Sequence, residues 1–162
     1  MRTVFDQLEA SRQELPELFP SDPAADAKAM ADAAVAGDML FYRREPIHVG
    51  RRNIDWAGTH KNNKEWRAEL NRFPQLEPLM WMWRQSGDAE YAAAARDYIE
   101  DWLDAHEPYD PAGACATGDS TLNMSVRLGN SRHSGWLTVL PGLADAAAFD
   151  AALAERMVEA VR

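Results

Sequence analysis

Cysteine is nearly absent from this sequence. Cys115 is the only one among 162 residues, so the chain forms no internal disulfide and no cysteine-based metal cluster. Long apolar runs are absent too, since none approaches the roughly 18 residues that a transmembrane helix needs. The first 19 residues contain acids and lack the apolar segment of a secretory signal. We therefore expect no membrane contact and a cytoplasmic location, or a chain whose leader is not part of this sequence.

The motifs of the common catalytic mechanisms are also missing. There is no glycine-rich phosphate loop, no His-Glu-x-x-His pair and no Gly-x-Ser-x-Gly turn. The four histidines are scattered, and no two have the i, i+4 spacing that places metal ligands on one helix face. His133 lies in a polar segment between apolar helices, but a single histidine without a partner is more often a surface or packed residue. The sequence predicts no catalytic residue, no metal site and no cofactor.

Charge is distributed unevenly along the chain. The net charge of −9 argues against nucleic acid as a partner. Residues 43–72 nevertheless hold eight basic and four acidic residues, which gives this segment a charge of +4 and the rest of the chain −13. We call this segment the basic island; its cations are Arg43, Arg44, Arg51, Arg52, Lys61, Lys64, Arg67 and Arg72. It indicates either a localised anion site or a solvated basic surface.

Helical spacing of apolar residues runs through most of the sequence. The first predicted helix covers residues 3–14, and Ser21 or Asp22 can cap a second helix that has Pro23 in its first turn and ends at Gly37. Residues 38–62 follow neither the helical nor the strand period, so we predict a long irregular segment there, in which Ile47 and Val49 allow a brief extended stretch. With roughly six helices and no convincing strand, the predicted fold class is all-α. Residues 1–162 then form one helical domain.

The later helices have clear boundaries. One is predicted over residues 62–73, with a break at 73/74 and Pro74 in the first turn of the next helix. Asp88 is expected to cap a helix that ends at residues 106–108. After a loop at 108–119, Ser120 or Thr121 can cap a helix with Leu122, Val126, Trp136 and Leu140 inward. The last helix, about 146–161, reaches the final residue without a stop signal, so we expect the chain to be part of a longer one.

Six tryptophans accompany these patterns. Trp66, Trp83 and Trp102 fall on apolar stripes and are best explained as core, whereas Trp56 lies beside Asp55 and within the basic island. Flat aromatic rings stack on sugar faces, and arginine holds carboxylates with a bidentate fork. Aromatic rings mixed with arginines and amides therefore suggest a groove for polymers of uronic acids.

Residues 25–150 resemble the N-terminal domain of the heparinase II/III family of polysaccharide lyases. The first shared element is the triplet Ile54-Asp55-Trp56. A helix follows with Glu65, Trp66, Arg67, Leu70, Asn71 and Arg72 at the family's positions. The next helix begins with Gly87, Asp88 and Tyr91 and has Trp102 near its end. A further likeness lies in Leu122, Asn123 and Arg127. The chain differs in having Asp55 where the family usually has asparagine, and in Pro74 and Pro78.

The resemblance implies antiparallel helical hairpins in part of an incomplete α/α toroid. It also implies β-elimination of acidic polysaccharides such as heparan sulfate or alginate, and family members are often periplasmic or secreted. The catalytic residues of the family find no match in this chain, so we expect it to be inactive alone. Its expected partners are an acidic polysaccharide and the missing C-terminal part of its own chain. The candidate groove contacts are Trp56, Arg67, Asn71, Arg72, Asn123 and Arg127.

Two other functions remain open from the sequence. Helix pairs of roughly 40 residues suit a scaffold of helical hairpins that binds a protein partner, although no internal repeat has a fixed period. An α/α glycoside hydrolase needs two inward carboxylates, for which Asp55 and Asp119 are the candidates.

Overall fold

The computed structural model describes residues 23–107, Val126 and residues 135–160. Within these residues the fold consists of six helices and one small antiparallel sheet. The elements in chain order are α1 (Ala27–Val35), β1 (Asp38–Phe41), β2 (Glu45–His48), α2 (Lys64–Leu70), α3 (Leu76–Ser86), α4 (Ala89–His106), α5 (Trp136–Leu143) and α6 (Ala151–Glu159). Several predictions fall outside the described residues: the helix at 3–14, the caps at Ser21, Asp22, Ser120 and Thr121, the loop at 108–119, Leu122, Cys115 and His133.

Helix α3 lies at the centre of the packing. It contacts α1, α4 and α5. Helix α4 also contacts α1 and α6. The buried side of α1 holds Met30 and three alanines, Ala27, Ala31 and Ala34, whose small side chains allow close approach. None of the described helices is long and apolar enough to cross a membrane.

The two strands correct the prediction of an all-α fold without strands. β1 pairs with β2 in antiparallel register, with Asp38 opposite His48 and Phe41 opposite Glu45. At the base of this hairpin, Gly37 has a φ of +86°, and its carbonyl accepts hydrogen bonds from the amides of Val49 (2.9 Å) and Gly50 (3.0 Å). Each strand is only four residues long, and charged residues at the connection hide the alternating pattern.

The predicted break near residue 73 is confirmed. α2 ends at Leu70, α3 begins at Leu76, and between them Phe73 has a φ of +57°. Pro74 was predicted in the first turn of α3 but precedes the helix. Pro78 is its third residue, where the backbone N–H has no partner within a helix, so the proline costs no hydrogen bond.

Predictions of helix ends had mixed outcomes. The Asp88 cap is confirmed, because its carboxylate accepts a hydrogen bond from the amide of Glu90 at 3.0 Å. The predicted start of α1 was wrong: the helix begins at Ala27, with Asp26 before it, and Pro23 lies outside. The Asp26 carboxylate is bound by Arg43 and makes no cap bond. The last helix begins at Ala151, later than predicted, and Asp150 caps it.

The contact between α3 and α5 leaves no room for a side chain at Gly142. A Cβ atom there would lie 2.1 Å from Sδ and 2.5 Å from Cγ of Met80, which is only 4% exposed. We expect Gly142→Ala to lower the free energy of unfolding by about 1–2 kcal/mol, since overpacking outweighs the gain in helix propensity. Urea denaturation measures this. In a Met80→Ala background the same replacement should cost nothing; an equal cost in both backgrounds would show that Met80 is not the cause.

Candidate functional site

The loop before α2 is fixed to α4 by one carboxylate. Asp101 of α4 accepts hydrogen bonds from the backbone amides of Asn53 (2.5 Å) and Ile54 (3.0 Å). It also accepts one from the indole Nε1 of Trp56 at 3.0 Å. Asn53 has a φ of +56°, which turns successive N–H groups toward the same acceptor. The position of the Asp-Trp pair is therefore set by a side chain 45 residues later in the sequence.

Asn71, directly after α2, forms a second buried junction. It is 5% exposed, and its Nδ2 donates to the carbonyls of Trp56 (3.1 Å) and Arg67 (3.0 Å). Its Oδ1 accepts from the indole Nε1 of Trp102 at 3.0 Å. One amide thus joins the loop, the end of α2 and α4. Together, Asn71 and Asp101 with their partners Trp56 and Trp102 are called the Asn71–Asp101 network below.

Aromatic packing surrounds this network. The ring of Phe73 lies 5.5 Å from that of Trp56, 6.2 Å from Trp102 and 5.8 Å from Trp136, measured between centroids. Trp66 and Trp102, predicted as core, are each 1% exposed, and Trp83 is half-buried. The rings exclude water from the hydrogen bonds, which strengthens them.

Gly58 brings the same loop against α2. Its φ is +71°, and a Cβ atom there would lie 3.0 Å from Cα of Arg67. Backbone therefore packs directly on backbone where α2 carries Arg67.

Most cations of the basic island are paired inside the domain. Arg51 donates from Nε to Asp97 at 2.9 Å and also binds Glu90. Arg52 donates to Asp97 at 3.0 Å and to Glu100 at 2.7 Å. The other pairs are Arg43 with Asp26, Lys61 with Glu45, and Arg72 with Glu69 at 3.7 Å. The acidic face of α4 thus balances much of the charge that the sequence showed as an isolated patch.

The salt bridges of this face lower the pKa of Glu100. Partial burial by itself raises the pKa of Glu100, but hydrogen bonds from Arg96 and Arg52 outweigh it, so the pKa lies below its usual value of 4.5. Because the folded-state pKa is the lower one, this stabilisation is present above about pH 4.5 and is lost as the pH falls through the folded-state value.

Removing this carboxylate should change the acid sensitivity of the fold. We expect Glu100→Gln to be about 1 kcal/mol less stable at pH 7 and to lose less stability than the original chain between pH 5 and pH 3. Denaturant melts at several pH values measure it, with Glu155→Gln, an exposed acid of α6, as control. Parallel pH profiles of the original chain and Glu100→Gln would contradict the assignment.

The structure brings three of the six candidate groove residues together. Trp56, Arg67 and Asn71 meet through the hydrogen bonds of Asn71, and Arg72 follows it directly. Trp56 is only 6% exposed and Asn71 5%, whereas Arg67 and Arg72 are half-buried. Asn123 and Arg127 lie outside the described residues. Contact with a sugar stays a prediction for all six residues.

Asp55, a candidate for the hydrolase alternative, serves its own loop. Its carboxylate accepts hydrogen bonds from the amides of Ala57 (3.1 Å) and Thr59 (3.0 Å), and from the Thr59 hydroxyl. The hydrogen bond from the Thr59 hydroxyl, followed by those from the two amides, holds the pKa of Asp55 below its usual value. A general acid needs a raised pKa. Asp119 lies outside the described residues. In the part of the chain that the structure describes, no group of three or more acids, histidines or cysteines is arranged to hold a metal ion.

The sequence interpretation missed Asp97, Glu100 and Asp101. They lie on one predicted helix at spacings of three and four, an acidic row opposite in sign to the basic island. That complementarity was the available signal, although charge alone does not say which segments pair.

Comparison with known proteins identifies the family. Residues 4–145 match the family model described as Heparinase II/III N-terminus. The chain belongs to the heparinase II/III family. The resemblance inferred from the Asp-Trp, Leu-Asn-Arg and Gly-Asp-x-x-Tyr elements is thereby confirmed. No curated protein matches the chain.

The fold of this heparinase II/III domain also occurs in a solved structure. The crystal structure of heparan sulfate lyase HepC from Pedobacter heparinus matches with a TM-score of 0.71 at 17% sequence identity. The match covers 97% of this chain and 25% of that chain. The domain therefore spans about a quarter of the length of HepC.

Proposed function

We propose that this domain is the N-terminal toroid portion of a polysaccharide lyase that cleaves uronic-acid polymers by β-elimination. In this proposal it forms part of the wall of the sugar groove and is inactive alone. Membership of the heparinase II/III family and the heparan sulfate lyase activity named for HepC support the substrate class. The share of HepC that the match covers supports a role as one part of a larger lyase.

The observation that carries the proposal is the convergence of the family elements. Asp55-Trp56, Leu70-Asn71-Arg72 and Trp102 are up to about 50 residues apart, yet the Asn71–Asp101 network joins them in the core. Such a network fixes backbone positions, and the backbone that it fixes carries Arg67 and Arg72. A groove needs this rigidity, because a mobile cation loses entropy on binding a carboxylate.

In β-elimination, these arginines would bind the carboxylate of the uronic acid. The reaction removes the C5 proton of a uronate and expels the oxygen at C4. A cation on the C5 carboxylate stabilises the negative charge that develops as the proton leaves. A guanidinium suits the task because its fork binds both carboxylate oxygens. The base and the acid of the reaction are assigned to no residue of this chain.

The six candidate residues divide by exposure. Arg67 and Arg72 supply the positive charge of the groove. Trp56 and Asn71 stabilise its wall, and only the small exposed part of each side chain can contact the sugar. Asn123 and Arg127 complete the proposed set from outside the described residues. Arg72 also pairs with Glu69, so binding a sugar carboxylate would exchange one acidic partner for another.

Titration of the intact chain with uronic-acid oligosaccharides tests this assignment. We expect Arg67→Ala and Arg72→Ala each to weaken binding about tenfold, since each loses a charge-assisted hydrogen bond. Arg84→Ala, which removes an exposed arginine from the end of α3, is the matched control and should bind as the original chain does. Circular dichroism confirms the fold of each variant. Unchanged affinity in both test variants would refute the proposed groove.

A further inference from the structure

The tip of the β1–β2 hairpin holds an unusual aromatic residue. Tyr42 is 55% exposed, and among the side chains whose burial the structure describes it is the single large hydrophobic one that is exposed. Isolated apolar side chains at a surface are common, so exposure alone indicates little. The backbone conformation of Tyr42 and the residues around it indicate a role in binding.

The tip adopts a conformation that its side chains disfavour. Tyr42 has a φ of +49° and Arg43 a φ of +60°, both in the left-handed region. Glycine and asparagine enter this region easily, whereas a bulky aromatic residue rarely does. A glycine or asparagine would serve this turn better. Backbone strain of this kind is typical of positions where a side chain serves binding.

The exposed ring is held in place on its inner side. Tyr42 stacks on Phe41 with 4.2 Å between ring centroids, and the buried Phe41 packs edge-on against Trp66 of α2 at 5.7 Å. Arg43 fixes the tip to the start of α1 by a two-pronged bond to Asp26, one prong of which measures 2.8 Å. The outer part of Tyr42 is therefore presented on a supported base.

One lysine lies beside the hairpin tip, and one exposed arginine belongs to it. Lys61 places its Nζ 5.5 Å from the centroid of Phe41 and pairs with Glu45. Arg44 at the tip and Lys64 at the start of α2 are exposed, and the described part of the chain shows no ion pair for either. In a protein of net charge −9, these two cations contrast with the paired arginines of the basic island.

We propose that Tyr42 and Arg44 form a second contact site for an acidic sugar. The Tyr42 ring stacks on the C–H face of a pyranose, whose hydrogens are attracted to the negative face of the aromatic system. Arg44 binds a carboxylate or sulfate of the same or the next sugar. This site rests on the proposed function, since it takes the same class of ligand, and it adds residues that the six candidates do not include.

The test separates binding from folding by the choice of variant. Tyr42→Asn removes the ring and suits the left-handed backbone, so its melting temperature should equal or exceed that of the original chain. Its affinity for a uronic-acid hexasaccharide should fall five- to tenfold. Tyr42→Phe keeps the ring and should bind as the original chain does.

Two probes identify the anionic group that Arg44 binds. If Arg44 binds carboxylates, Arg44→Gln should weaken binding of an unsulfated alginate hexasaccharide. If Arg44 binds sulfates, the same replacement should weaken binding of a heparin-derived hexasaccharide and leave binding of the alginate hexasaccharide unchanged. Tyr42→Asn and Arg44→Gln both binding at original strength would overturn the site. If Arg67→Ala still weakens binding in that case, the proposed function stands without it. If neither probe binds the original chain, both proposals fail together.

Discussion

Replacing Asn71 by alanine is expected to lower the free energy of unfolding by about 3 kcal/mol. The replacement leaves the buried indole N–H of Trp102 and the carbonyl of Trp56 without their partner, and each unpaired group costs about 1–3 kcal/mol. A small cavity adds to the loss. Urea denaturation followed by circular dichroism measures the change.

Two further variants sharpen this experiment. Asn62→Ala removes an exposed asparagine from the loop before α2 and should change stability by less than about 0.5 kcal/mol. Asn71→Asp keeps the shape and the acceptor for Trp102 but turns a carboxylate oxygen toward two carbonyls. It should therefore be destabilised at pH 7 and recover stability as the pH falls and the buried acid gains a proton. If Asn71→Ala is as mild as Asn62→Ala, the network does not hold the fold.

The second large effect is expected for Asp101→Asn, at about 2–3 kcal/mol. Asp101 accepts from two backbone amides and one indole, and an amide in its place has a single acceptor oxygen and an NH2 group that faces these donors. The loop should loosen more than the helices. Hydrogen exchange at the amides of Asn53 and Ile54 should accelerate beyond the change in global stability.

Asp104→Asn is the matched control for Asp101→Asn. Asp104 lies on the same helix and pairs with Arg156 at 2.8 Å, but its side chain is 64% exposed, so its loss should cost less than about 1 kcal/mol. A double-mutant cycle of Asp101→Asn with Trp56→Phe measures the indole bond itself, with a coupling of about 1 kcal/mol expected. Equal losses for the two aspartates would show that Asp101 does not hold the loop.

The helices could be predicted because their signals are local. Gly37 and Asp88 act on the backbone within a few residues, and the spacing of Tyr98, Ile99 and Trp102 depends only on the helical period. The hairpin could not be predicted, because Tyr42 and Arg43 turn the chain in a conformation that no turn signal announces.

The candidate site was harder to predict for a different reason. The arginines of the basic island could be counted, but their partners Asp97 and Glu100 lie 45 or more residues away. The sequence also suggested that Trp56 stacks on a sugar, while the fold uses its indole N–H and its carbonyl as internal contacts. Distances of this kind depend on how the helices pack, which the pattern of one chain does not specify.

Comparing a uronic-acid oligosaccharide with its carboxyl-reduced counterpart tests most directly whether this domain recognises acidic sugars through its arginines. Both ligands have the same linkages and rings and differ only in the carboxylates. By calorimetry, the acidic ligand should bind at least about tenfold more tightly, and the difference should become clearly smaller when Arg67 and Arg72 are both replaced by alanine, because only Arg44 and Arg127 of the proposed contacts then remain to bind carboxylates. Equal affinity for the two ligands, or a difference that is undiminished in the double variant, would contradict the assignment.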